Sequence, residues 1–132
     1  YLEREAYDAL DEMVIFTMLN SPLGQRMAEA QRDGRLHREQ QFIIGIPARE
    51  MGRGDSQELV LVQGVIDAYL EEEDGLVVAD YKTDSVTCPQ ELINRYQVQL
   101  DYYARALEQL TGKKVREKII YSFALATEVP LA

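Results

Sequence analysis

Two carboxylates and one ammonium group stand where the sequence is otherwise apolar. Asp67 closes Gln63-Gly64-Val65-Ile66-Asp67, and Asp80 and Lys82 lie in Val77-Val78-Ala79-Asp80-Tyr81-Lys82. Residues two apart on a strand project from the same face, so Asp80 and Lys82 share one. Strand positions among Val65, Ile66, Val77, Val78 and Ala79 are expected to be buried, and a bare carboxylate there is costly. A hard divalent cation bound by oxygen ligands would neutralise the pair, and the lysine would orient or activate water for attack on a phosphodiester. The competing reading is a structural ion pair or ordinary surface charge, and the apolar setting weighs against it.

For these three residues to meet, a hairpin must bring them together. Residues 58–71 and 76–83 read as strands joined by Glu72-Glu73-Asp74-Gly75, whose Asp-Gly pair suits a tight turn. A turn at Glu73-Asp74 sets Asp67 opposite Asp80, and a turn at Asp74-Gly75 sets it opposite Lys82. Either register leaves two carboxylates and an ammonium on a common face. The acids of the turn itself, Glu71 to Asp74, read as a solvated loop.

Around this hairpin the periodicity predicts the remaining elements. Residues 3–19 read as helical, with Ala6, Ala9, Leu10, Met13 and Val14 at three- and four-residue spacing. Ser21 suits an N-cap and Pro22 the first helical position of a segment carrying Leu23, Met27 and Ala30, which Gly34 is placed to stop. From Leu36 to Pro47 the period becomes two, with Leu36, Phe42, Ile44 and Ile46 on one side and Glu39, Gln41 and Ile43 on the other. Residues 51–56 form a flexible connection. A helix from Pro89 to Thr111, with a break near Asn94, buries Tyr96, Leu100, Tyr103, Leu107 and Leu110, and Gly112 sits at its C-terminal cap. Residues 115–123 form a further strand with which the remainder pairs. The order is α+β: a central mixed β-sheet flanked by helices.

Composition narrows the function classes. The 132 residues, 46% hydrophobic, suffice for one core, so residues 1–132 are read as a single domain. Nothing resembles a membrane span or a secretory leader, and Cys88, the lone cysteine, supports neither an internal disulfide nor a multi-cysteine metal site. A cytoplasmic setting follows as the default. The start at Tyr1, without an initiator Met, points to a fragment of a larger protein. A net charge of −9 argues against autonomous, tight binding of nucleic acid. An acidic nuclease domain remains workable where a larger partner holds the DNA and divalent cations neutralise the local carboxylates.

Gly64-Val65-Ile66-Asp67, then Asp80-Tyr81-Lys82-Thr83-Asp84, then Gln99 with Tyr103 resemble the motifs of the RecB-like branch of the PD-(D/E)XK nucleases. The resemblance runs from Ser21-Pro22-Leu23-Gly24 through Arg38-Glu39-Gln40-Gln41-Phe42 to the end of the chain. It implies a restriction-endonuclease-like fold and a DNA exonuclease domain of a helicase–nuclease in break repair and recombination. It implies Mg²⁺, with Mn²⁺ able to substitute, and a partner subunit reached through the parent protein. Residue by residue, it implies that Asp67, Asp80 and the Tyr81 carbonyl bind the metal and that Lys82 places the water. Glu39 would be an auxiliary acid. Gln99 and Tyr103, four apart on one helix face, would contact DNA and support the site. The family's metal-binding histidine lies on an upstream helix; the sole histidine here, His37, opens a strand and does not match it. No Gly-x-x-x-x-Gly-Lys-Ser/Thr phosphate loop occurs, so ATP use would belong to other parts of the parent protein. A non-catalytic nuclease fold that binds DNA or docks a partner, and a purely structural domain, are the alternatives.

Overall fold

The computed structural model describes residues 12–52 and 57–132. The expected helical positions Ala6, Ala9 and Leu10, and positions 53–56 of the expected connection, lie outside them. Residues 12–19 are helical (α1), and α2 follows at Pro22–Arg32. The Ser21 hydroxyl caps α2 by accepting the Gly24 N–H at 3.0 Å, and Pro22 needs no donor at that position. Gly24 lets the two helices approach, because a Cβ there would collide with the Met18 carbonyl oxygen.

Strand β1 (Leu36–Pro47) leads through a short 3-10 turn (Ala48–Met51) to β2 (Leu59–Glu72) and β3 (Gly75–Lys82). Helix α3 (Pro89–Thr111) then crosses to β4 (Val115–Ser122), and β5 (Thr127–Leu131) turns back along it. The sheet order is β1-β2-β3-β4-β5; β3 and β4 are parallel and the other neighbours antiparallel. This is the mixed sheet flanked by helices that the pattern predicts. Helix α3 runs without the expected break near Asn94 and stops at Gly112, whose φ of 72° suits a residue lacking Cβ. Leu110, expected in its buried stripe, is exposed at the helix end, past the last turn that the sheet covers.

Helix α2 covers one face of the sheet, where Leu23, Met27 and Ala30 pack on Ala68, Leu70, Val77, Ala79, Ile119 and Tyr121. Helix α3 covers the other, where Leu92, Leu100, Tyr103 and Leu107 meet Ile66, Leu76, Val78 and Ile120. Strand β3 is therefore buried on both sides, the physical reason it reads as a near-continuous apolar run.

The alternation of β1 and β2 breaks at one level of the sheet. Leu36 packs under α2, whereas Phe42, Ile44 and Ile46 lie on the α3 side, which corrects the expectation that all four share a face. On β2, Ile66 lies under α3 and Ala68 under α2. The breaks fall at Glu39 and Asp67, between the flanking pairs Arg38 with Ala68 and Gln40 with Ile66. Glu39 has a φ of 51°, the left-handed region that residues with a Cβ rarely occupy, and one such residue turns the following side chains to the opposite face.

Candidate active site

The turn occupies Glu73-Asp74, with Glu72 paired to Gly75, so the register is the one that sets Asp67 at the level of Asp80. The β2–β3 ladder ends at Ala68 with Ala79. Beyond it β2 continues along β1 while β3 continues along β4, and the two strands part. Asp67 stands at this fork. Its Oδ2 accepts the Tyr81 N–H at 2.9 Å, taking a donor that the interrupted ladder leaves over.

Asp80 and Lys82 project from β3 toward α3. Asp80 is 2% exposed. Burial first, and then the hydrogen bond it shares with Asp67, push its carboxyl up to about 6, against the opposing pull of Lys82. The Lys82 Nζ lies 2.9 Å from Asp80 Oδ2, yet that oxygen has no hydrogen bond of sound geometry. The same Nζ donates to Gln99 Oε1 at 3.0 Å and sits 4.2 Å from the centre of the Tyr96 ring. Tyr103, one turn beyond Gln99, is almost fully buried and stacks edge-on against Phe42 at 5.5 Å. Burial, followed by the charges of Asp80 and Asp67, pushes its phenol up to about 12. Gly64 lies beneath this pair, where a Cβ would press on the Phe42 ring at 3.1 Å.

The structure thus gathers Asp67, Asp80, Lys82 and Gln99 into one hydrogen-bonded and ion-paired cluster, with Tyr103 within its field. Glu39, level with Asp67 on the neighbouring strand, lines with it and with Arg38, Tyr81, Met27 and Met18 a cavity of about 620 Å³ between the sheet and the two N-terminal helices. Among the described residues no three His, Cys, Asp or Glu side chains converge as a ligand set. The donor chemistry still fits a hard cation. Two carboxylates stand side by side, only Asp80 is ion-paired to the lysine, one buried Asp80 oxygen is left without a proper donor, and a divalent ion of this type completes its shell with backbone carbonyls and water. His37 lies at the other end of the hairpin, stacked on Tyr69 at 4.5 Å and 3.4 Å from Glu71.

Sequence reasoning missed the part played by Tyr96, assigning it only to the core stripe. Its spacing held the signal, since it lies three residues before Gln99 and so shares that helix face. Nor are all the acids of the turn simply solvated. Glu72 pairs with Arg26 at 2.6 Å and Glu71 with Lys113 at 3.0 Å, leaving only Glu73 and Asp74 exposed.

The mixed sheet thus forks at one carboxylate, with a second carboxylate and a lysine two residues apart on the neighbouring strand. Residues 3–129 match the PD-(D/E)XK nuclease superfamily, and the chain belongs to it. Nucleases of this superfamily generally use divalent metal ions. Among particular proteins, the chain is similar to the AddA subunit of the ATP-dependent helicase/nuclease of Acetivibrio thermocellus, 48% identical over 122 residues. That match takes in 87% of this chain and 10% of the relative. The AddA protein of Lachnoclostridium phytofermentans is 38% identical across 97% of this chain and 12% of its own length. That of Clostridium novyi is 37% identical across 99% and 11%. The chain therefore spans about a tenth of the length of the curated relatives it matches.

Proposed function

We propose that this chain is one nuclease domain of an AddA-type helicase–nuclease, a Mg²⁺-dependent deoxyribonuclease that trims DNA ends in double-strand-break repair and recombination. The observation that carries the reading is the Asp67–Asp80 pair at the strand fork, with Asp80 buried and ion-paired to Lys82 and Asp67 half-buried beside it. Similarity to proteins named as ATP-dependent helicase/nuclease subunits supports the wider setting. A partner of the AddB type, a cytoplasmic location and ATP use by the motor belong to the same proposal. Among the described residues no helix is long and apolar enough to cross a membrane.

Asp67, Asp80 and the carbonyl of Tyr81 would hold Mg²⁺ or Mn²⁺, with Glu39 an auxiliary acid on the cavity side. When bound, the ion supplies a Lewis acid for the scissile phosphate and lowers the pKa of a coordinated water. Lys82 positions that water and stabilises the charge that builds on the phosphoryl oxygens in the transition state. Gln99 holds the lysine by its carboxamide oxygen, and Tyr103 walls the site behind it. The net charge of −9 leaves most of the DNA grip to other parts of the parent protein.

Asp67→Ala and Lys82→Ala test the assignment. Each is expected to abolish release of labelled nucleotides from DNA in Mg²⁺ or Mn²⁺ while leaving unwinding by the parent enzyme intact. Undiminished cleavage in both variants overturns it.

A further inference from the structure

We propose that Tyr96 is a positioning residue for the reaction, its ring face seating the Lys82 ammonium; the inference rests on the nuclease reading of Lys82. A lysine has a long flexible stem, and holding it in one geometry costs side-chain entropy. Three neighbours define its place here: Asp80 Oδ2 at 2.9 Å, Gln99 Oε1 at 3.0 Å and the centre of the Tyr96 ring at 4.2 Å. The ring attracts the cation through its quadrupole and shields that side from water. It does so without accepting a hydrogen bond, so it uses up none of the three N–H donors of the ammonium. A donor stays available for water or a phosphoryl oxygen, which a third acceptor at the same place would have taken.

The ring is itself fixed from outside the site. The Tyr96 hydroxyl donates to Asp84 Oδ2 at 2.6 Å, and Arg95 holds the same carboxylate at 3.0 Å. Asp84 lies two residues after Lys82, just past the end of β3, so this contact ties the segment leaving β3 to the helix carrying Gln99. Asp84, Tyr96 and Lys82 form a relay of contacts with the reacting end at the lysine.

Lys82 is one of four lysines, with Lys113, Lys114 and Lys118, so NMR of the full chain labelled in lysine follows it directly. The ring should shift the Lys82 ε-methylene protons upfield in wild type and in Tyr96→Phe, and Tyr96→Leu should abolish the shift. On DNA with Mg²⁺ or Mn²⁺, Tyr96→Leu is expected to lower kcat about tenfold with KM little changed, and Tyr96→Phe to recover most of the loss. Should Tyr96→Leu fail to fold, Asp84→Ala carries the same test with a smaller loss, since it frees the ring without removing it. An unshifted lysine signal in wild type, or a Tyr96→Leu enzyme that cuts like wild type, overturns the proposal. Lys82→Ala that cuts like wild type in the parent enzyme instead overturns the nuclease reading, while the lysine spectrum still decides the contact.

Discussion

The two ends of the β2–β3 hairpin carry the same kind of side chain and treat it in opposite ways. At the turn, Glu72 meets Arg26, which also reaches Glu117, and Glu71 meets Lys113 and His37. The Lys113 ammonium is the main reason the Glu71 carboxyl is held below its ordinary range. At the fork, Asp80 is paired with Lys82 beside Asp67, which accepts only a backbone N–H, and Asp80 is raised to about 6. Like residues therefore carry different meaning according to what the fold places around them. The turn acids are balanced where they stand and partly exposed, so they cost little and hold helix to sheet. At the fork Asp80 is buried and under-compensated beside a second carboxylate, the condition in which a bound cation contributes most.

The sharpest way to break the comparison is to remove one charge at each end, the fork acid itself and the α2 arginine that balances the turn acid Glu72. Asp80→Asn should lower cleavage by roughly 10²–10⁴-fold, the scale lost when a group that stabilises developing charge is removed. Arg26→Ala, at the turn, should leave cleavage within a small factor of wild type. Equal losses in the two variants, read from nucleotide release, would show that the ends do not differ in function.

Stability sharpens the same contrast. A carboxyl whose pKa is raised in the folded state costs stability once it ionises. For Asp80 that cost is absent below the ordinary value of 3.8, grows between 3.8 and about 6, and is complete above 6. In metal-free buffer Asp80→Asn should therefore be more stable than wild type at pH 8 by roughly 1–2 kcal/mol, after allowing for the lost Lys82 pair. The gain should fade as pH drops through 6 toward 4, and urea unfolding across that range measures it. On the proposed reading of Asp80 as a metal ligand, saturating Mg²⁺ should reverse the order at pH 8, because binding stabilises the wild type more than the variant.

A smaller effect probes the bend that turns Asp67 into the fork. With Glu39 at a φ of 51°, Glu39→Gly keeps the carboxylate-free site of Glu39→Ala but relieves the backbone. The glycine variant should be the more stable of the two by about 1 kcal/mol in thermal melts. Equal melts would show that the left-handed backbone stores no strain. Smallest of all, Arg26→Ala should cost about 0.5–1 kcal/mol, the range of a part-exposed ion pair, and less at high salt. A larger loss would mean that the turn network, and not the core, anchors α2.

Much of this architecture was legible because it is periodic. Alternation placed Asp80 and Lys82 on one face, and the cap residues Ser21, Pro22 and Gly112 marked helix ends where they fall. Four-residue spacing put Gln99 and Tyr103 on one side of α3. The errors came where one residue reversed a period or a helix outran its cover. Leu36 lies across the sheet from Phe42 because the chain reverses at Glu39, and Leu110 is exposed because α3 runs past the sheet.

The sequence by itself determined which chemical groups are present, the hairpin that carries them, and the local direction of side chains within each unbroken strand or helix, since these follow from spacing of a few residues. Only the tertiary structure decided the rest. It chose the turn at Glu73-Asp74 over Asp74-Gly75, forked the sheet at Asp67, and set Tyr96 against Lys82. It also brought Arg26 and Lys113 to the turn acids from 46 and 42 residues away. Such pairings depend on how distant elements pack, and on the φ of a single glutamate, neither of which composition or periodicity encodes.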